Sequence, residues 1–173
     1  MDRARLAAAL YSTAHLRGEF LLRSGRTATE YFDKYRFEAD PVLLAAIAEA
    51  AAPLVPAGTE VLAGLELGGV PVATALSLRT GLPAAFVRKQ AKAYGTRKLA
   101  EGTDVEGRRV LVVEDVVTSA GQVVESTAEL RALGATVTDV LCVVDREEGG
   151  AAALAAIGLR LHPVFTAADL RTH

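Results

Sequence analysis

Tryptophan is absent, and cysteine and methionine occur once each. A single cysteine excludes an internal disulfide framework and a cysteine-based zinc site. Cys142 stands in the apolar run Val140-Leu141-Cys142-Val143-Val144, where a small buried core residue is expected. Aromatics make up only 5% of the 173 residues, so aliphatic side chains must carry the core. A chain of this length buries roughly 70% of the surface its unfolded form exposes, and needs no disulfide or metal to fold. No run of about 18 apolar residues occurs, so no membrane span is expected. The richest stretch, Val42 to Val55, is broken by Glu49 and Pro53. The charged start, Met1-Asp2-Arg3-Ala4-Arg5, lacks the apolar core of a signal peptide, and the cytoplasm is the expected compartment. A basic excess is missing too: 19 Lys and Arg face 21 Asp and Glu, for a net charge of -2. A general nucleic-acid binder would carry such an excess.

What is present is an alternation of two periods. Residues 3–14 read as an amphipathic helix with Leu6 and Leu10 on one face. A polar, aromatic stretch follows from His15 to Phe37, with a turn at Ser24-Gly25-Arg26. Asp40-Pro41 starts an alanine-rich helix, with Asp as N-cap and Pro at the first position; Pro53 ends it. From there the pattern is strand 60–65, helix from Gly68-Gly69 to Gly81, strand Ala84–Val87, a long polar loop 88–107, and strand Arg109–Val113. Helix Gln122–Leu133, strand Val137–Val144, helix Gly150–Ile157, strand Leu159–Phe165 and a short helix capped by Thr166 complete it. The repetition predicts a single α/β domain with an open, mainly parallel sheet flanked by helices. Loops as long as 88–107 are often functional lids in compact domains.

The segment Val110-Leu111-Val112-Val113-Glu114-Asp115-Val116-Val117-Thr118-Ser119-Ala120-Gly121-Gln122 carries the chemistry. A buried strand ends in two carboxylates, a small-residue turn follows, and a helix begins. Ligands of open α/β sheets bind at the carboxyl ends of strands. Small side chains at 118–121 let backbone N–H groups close around an anion, and the helix N-terminus adds its dipole and free donors. Glu114 and Asp115 would repel a phosphate and suit hydroxyls or a hydrated Mg²⁺. A phosphate beside a sugar diol satisfies both halves; an ordinary strand–turn–helix with a solvated acidic end uses similar residues.

This stretch closely resembles the 5-phosphoribosyl 1-diphosphate (PRPP) motif of type I phosphoribosyltransferases. Three further segments resemble the orotate phosphoribosyltransferases within that family. They are Arg88-Lys89-Gln90-Ala91-Lys92-Ala93-Tyr94-Gly95, Phe20-Leu21-Leu22-Arg23-Ser24-Gly25-Arg26, and Asp145-Arg146. The resemblance spans roughly residues 15–165. It implies a small N-terminal hood over 1–40 on a Rossmann-like core over 41–173. It also implies PRPP binding by Glu114 and Asp115 (ribose hydroxyls), by Val116 and Val117, and by Thr118, Ser119, Ala120, Gly121 and Gln122 (5′-phosphate). Gly68 and Gly69 would form the pyrophosphate loop. Arg88, Lys89, Lys92 and Tyr94 belong to a flexible catalytic loop. Orotate contacts fall to Thr118, Arg146, Arg23, Tyr31 and Phe32.

The same resemblance implies Mg²⁺ carried by PRPP, met by Glu114 and Asp115 through water, and a homodimer whose loop 88–107 reaches the neighbouring site. Many relatives have lysine where Arg23 stands and histidine where Tyr94 stands, so a histidine role does not carry over. The implied reaction transfers ribose 5-phosphate from PRPP to orotate, giving orotidine 5′-monophosphate and diphosphate in pyrimidine biosynthesis. Lys89, Lys92, Arg88 and Asp115 are the implied catalytic groups. The residues support the pieces independently. Mobile cations stabilise a leaving diphosphate, and an arginine fork matches a planar carboxylate, although Arg146 could equally pair with Glu147 or Glu148. A phosphoribosyltransferase for another base, or a PRPP-sensing regulator without catalysis, would share the 110–122 motif.

Overall fold

The computed structural model describes residues 1–21, 25–90 and 99–171. Helix α1 (Arg3–Ala14) starts as the sequence predicts. The Asp2 side chain accepts a hydrogen bond from the Arg5 N–H at 2.9 Å, satisfying a donor that a helix start leaves free. Leu6 and Leu10, one turn apart, are buried. The polar stretch that follows holds the first difference. It folds as an antiparallel pair, β1 (His15–Leu21) and β2 (Thr27–Phe32), with Gly25 at φ 80° in the connection. Both strands are largely exposed and lack the alternation that marks a half-buried strand. One turn of helix, α2 (Tyr35–Glu38), leads to α3 (Pro41–Ala51). There Asp40 accepts from the Val42 and Leu43 N–H groups, and Pro41 opens the helix.

The chain continues through β3 (Val61–Leu65), α4 (Gly69–Thr80), β4 (Ala84–Val87), β5 (Ala100–Gly102) and β6 (Arg109–Val117). It ends with α5 (Gly121–Ala132), β7 (Thr136–Asp145), α6 (Gly150–Ala156), β8 (Arg160–Thr166) and α7 (Ala167–Arg171). The main sheet runs β5-β4-β3-β6-β7-β8, parallel except for β5. Two readings need correction. The loop expected over 88–107 contains β5, a short edge strand whose Ala-Glu-Gly sequence carries no strand pattern. And β6 runs through the acidic pair to Val117, because β7 pairs with it as far as Asp145.

An apolar core lies on each face of the sheet. One gathers α1, α3 and α4 against Leu62, Leu111, Val113 and Leu141. The other gathers Val123, Leu130 and Leu154 against Val61, Ala63, Val112, Val140 and Cys142. Cys142 is buried there as expected, and burial pushes its thiol well above the ordinary value. No helix among the described residues is long and apolar enough to cross a membrane.

His162 Nε2 and Asp139 Oδ1 join β8 to β7 at 2.7 Å. Burial works to raise the Asp139 carboxyl, but hydrogen bonds with His162 and Thr138 and the charges of His162 and Arg160 hold it below its ordinary 3.8. A carboxyl lowered on folding stabilises above its unfolded value, and that contribution is lost as pH falls through the folded value. Asp139→Asn is therefore expected to lower Tm at neutral pH, with the gap to wild type closing below pH 3.8. Thermal melts across that range check it.

Candidate active site

The site follows from the order of the strands. β3 hands on to β4 on one side and β6 to β7 on the other, so the chain's direction across the sheet reverses between β3 and β6. Open α/β sheets have their crevice at such a point, outside the carboxyl ends of the strands. β3 pairs with β6 only from Val110 to Val113. Past Val113 the chain after β3 turns away through Glu66, Leu67 and Gly68 into α4. Glu114 and Asp115 emerge in the notch this leaves.

Two glycines bring that turn against β6. A Cβ on Gly69 would lie 2.4 Å from the Val113 carbonyl oxygen, and one on Gly68 only 1.5 Å from Asp115 Oδ2. Neither α4 nor α5 has a side-chain hydrogen bond capping its start. Both helices follow parallel strands, so both open toward the carboxyl end of the sheet. In α4 the Val70 N–H donates to the Leu67 carbonyl at 3.1 Å and Pro71 has no N–H, which confines that opening's donors to the Gly68-Gly69 backbone. Before α5, Thr118 and Ser119 are exposed and Ala120 takes a left-handed conformation at φ 64°. Gly150, the first residue of α6, supports this turn from below, where a Cβ would lie 2.5 Å from the Thr118 carbonyl oxygen. Gln122 turns its side chain along the helix to Ser126, 3.1 Å away, leaving its backbone at the opening. The crevice thus has a helix start without a side-chain cap on each side, a setting suited to an anion, and an acid pair between them.

The acid pair is less open than the sequence implies. Asp115 is fully buried and Glu114 is 8% exposed. Glu114 Oε1 accepts from the Asp115 N–H at 3.0 Å, and Asp115 Oδ1 accepts from the Val116 N–H at 2.5 Å. Asp115 Oδ2 meets a cation that the sequence reading did not single out, Lys34 Nζ, at 2.6 Å. Glu38, on the same turn of α2 and also missed, is buried beside them. Burial, then the hydrogen bond and charge of Asp115, push Glu38 up to about 9. Burial and Asp115 likewise raise Glu114 well above the usual carboxylate range. For Asp115 burial acts upward, but bonds with Glu114, Glu38 and Lys34 outweigh it and hold the carboxyl low. Burial would lower Lys34, and its bond to Asp115 reverses that. The cluster thus holds one matched ion pair, Lys34–Asp115, with burial working against charge on Glu38 and Glu114. The signal in the sequence was the spacing of Lys34 and Glu38, one helical turn apart.

Of the basic loop, Arg88 is fastened at its start. Its N–H donates to the Leu99 carbonyl at 2.9 Å, and its guanidinium lies 3.7 Å from Glu101. The exposed Lys89 donates its N–H to Glu66 Oε1, tying the loop's start to the turn after β3. Lys92, Tyr94 and Arg23 lie outside the described residues. Tyr31, Phe32 and Arg146 come together in a cavity of about 190 Å³, with Tyr11, His15, Glu30 and Arg171 also on its wall. Tyr31 stacks on Phe20 at 5.5 Å, while half-buried Phe32 packs toward Phe37. The Arg146 N–H donates to the Val117 carbonyl at 2.9 Å, which binds the cavity to the end of β6. The Arg146 guanidinium rests 3.2 Å from Glu148, the surface pair the sequence left open. His15 stacks on Tyr11 at 4.6 Å and lies 3.2 Å from Glu30. Thr118 does not line this cavity.

The phosphoribosyl transferase domain family matches residues 20–156. An orotate phosphoribosyltransferase from Nocardioides sp. is 56% identical over 167 residues, 96% of this chain and 93% of that protein. One from Methanocella arvoryzae is 46% identical over 153 residues, 88% of this chain and 87% of that protein. The crystal structure of Mycobacterium tuberculosis orotate phosphoribosyltransferase in complex with PRPP superposes with a TM-score of 0.86 at 36% identity, covering 99% of both chains.

The two glycine positions make opposite predictions. Gly68→Ala forces a methyl into the Asp115 carboxylate and should cost about 1–3 kcal/mol. Gly121, whose Cβ would meet nothing within 4 Å, should accept Ala with less than about 0.5 kcal/mol change. Denaturant unfolding of the two variants checks both; equal stabilities would contradict the packing of Gly68 on Asp115.

Proposed function

The chain belongs to the orotate phosphoribosyltransferases of the phosphoribosyl transferase domain family, and from that premise we propose how its residues divide the transfer of ribose 5-phosphate from PRPP to orotate. The reading rests on one observation above the others: two helix starts without side-chain caps flank an acid pair at the sheet's switch point. PRPP has that pattern, a phosphate at one end, a diphosphate at the other and a diol between.

The turn Thr118–Gln122 takes the 5′-phosphate through backbone N–H groups and the two hydroxyls. The Gly68-Gly69 turn takes the diphosphate, since glycine lets backbone amides approach closely. Glu114 meets the ribose hydroxyls, with Asp115 behind it. The Arg146 fork leaves Glu148 for the carboxylate of orotate, and Tyr31 and Phe32 border the base. Thr118 lies outside the base cavity, and its contact with orotate rests on the family resemblance alone. Arg23 is a second cation for the base through the family resemblance.

In the reaction the bond from ribose C1 to the diphosphate oxygen breaks and a bond from C1 to the orotate nitrogen forms on the opposite face. Positive charge gathers on the sugar ring and negative charge on the leaving diphosphate. No protein nucleophile is needed, so positioning and electrostatics carry the rate. Lys89, and from the same loop Arg88 and Lys92, stabilise the charge that develops on the leaving group, while closure of the loop excludes water. Tyr94 can donate a hydrogen bond to the diphosphate. A magnesium ion would arrive with PRPP, held by its phosphates; Asp115 is enclosed and paired with Lys34, so Glu114, the less buried of the two, is the side chain that would meet it through water. When bound it would neutralise leaving-group charge. The enzyme works in the cytoplasm as a homodimer in this reading, loop 88–107 serving the neighbouring site.

Purified protein mixed with PRPP, Mg²⁺ and orotate should lose the orotate absorbance and release diphosphate, and a chelator should stop both. Adenine, hypoxanthine, guanine and uracil run in parallel should not react. Saturable PRPP binding without turnover of any base would overturn the catalytic reading. Lys89→Ala should lower kcat by about tenfold or more with little change in either KM. Arg146→Ala should raise the orotate KM by about tenfold or more, an unchanged value pointing to a different base. Steady-state kinetics with each substrate varied in turn reads both.

A further inference from the structure

Lys34 stands two residues beyond the β1–β2 pair, at the start of α2, yet its ammonium reaches the carboxyl end of β6. Nζ lies 2.6 Å from Asp115 Oδ2 and 5.3 Å from the centre of the Tyr35 ring, whose face attracts a cation. Asp115 has no exposed surface, so water cannot compensate its charge. The same Oδ2 occupies the space where Gly68 would carry a Cβ, and Glu38 Oε1 lies 2.8 Å from that point. One ammonium therefore bears on the acid pair, on the Gly68 turn and on the hood helix together.

We propose that Lys34 is a positioning residue of the reaction, fixing Asp115 and through it the Gly68 turn, so that it governs the use of PRPP and not of orotate. The assignment rests on the functional reading above. The separation of the two substrates comes from the geometry. Asp115 and Gly68 form the ribose and diphosphate side of the crevice. The cavity that collects Tyr31, Phe32 and Arg146 includes neither of them, nor Lys34. Without the ammonium, Asp115 is left as an uncompensated charge in a dry site, which is far more costly than losing an exposed pair. The carboxylate then takes up a proton or turns toward solvent, and either way loses the charge or the position that the ammonium fixes. Gly68, in van der Waals contact with it, cannot keep its place. The diphosphate turn and the hydroxyl-binding edge shift together, and the base cavity keeps its walls.

The test is kinetic. The wild type is first shown to turn over PRPP and orotate; its failure to do so would remove the functional reading and this assignment with it. Lys34→Met, of similar length and without charge, is expected to raise the PRPP KM by about tenfold or more while the orotate KM stays within about twofold. Lys34→Arg keeps the charge in a different geometry and should fall between wild type and Lys34→Met. Both KM values unchanged in Lys34→Met, or both raised by the same factor, would overturn the proposal, as would Lys34→Arg being no better than Lys34→Met. If Lys34→Met does not fold, Lys34→Arg decides alone. A PRPP KM raised by about threefold or more with the orotate KM unchanged supports the assignment, and any other pattern overturns it.

Discussion

A buried carboxylate has to be paired, and here that requirement ties the two parts of the molecule together. Asp115 is fully enclosed at the end of β6, and an isolated charge in that position would cost several kcal/mol. Its partner comes not from the sheet but from Lys34, at the root of the hood. The β1–β2 pair is largely exposed, and burial of its own residues gives it little hold on the core. The hold comes from apolar packing of Leu6, Leu10 and Ala14 of α1, of Phe37 and of the partly buried Phe32, and the ion pair adds one polar tie to the end of β6.

The rest of the crevice follows from how closely the backbone can approach this point. Gly64 lies where a Cβ would meet the Gly69 carbonyl at 2.6 Å, Gly69 presses on Val113, and Gly68 on Asp115. Side chains at these positions would push α4 away from β6 and open the notch. With glycine, the start of α4 stands beside the acid pair, and α5 begins a short turn beyond it. The place of the α4 start beside the acid pair is thus a consequence of this close packing.

The sequence made the core legible and left the hood obscure, for a physical reason. β3, β6 and β7 are buried on both faces and read as continuous apolar runs. Asp40-Pro41 and Gly81 mark a helix start and a helix stop through local chemistry. The acidic pair and the turn after it were legible because strand, carboxylates and small residues stand contiguous in the chain. β1, β2 and β5 were not, since exposed or very short strands leave no period. Lys34 and Glu38 were missed because their meaning lies across the fold: 81 positions separate Lys34 from the carboxylate it meets. In the chain they look like ordinary charges on a polar segment. The burial of Asp115 was hidden for the same reason, since nothing in 110–122 says that Gly68 lies over it.

Two ion pairs in this site differ in one property that decides what each can do. The Arg146–Glu148 pair is partly exposed at 3.2 Å, and a pair in that setting is worth about 1 kcal/mol or less. A planar carboxylate that offers two parallel hydrogen bonds is the stronger partner in the proposed function. Glu148 therefore holds the guanidinium ready without competing with the ligand. The Lys34–Asp115 pair has no such freedom, because both groups would have to be rehydrated to part and one of them has no contact with solvent. The exchangeable pair lies on the base side of the crevice and the fixed pair on the ribose side. Under the proposed function, a base carrying a carboxylate would be admitted and released by exchange with Glu148, while the edge proposed to orient the sugar stays in place.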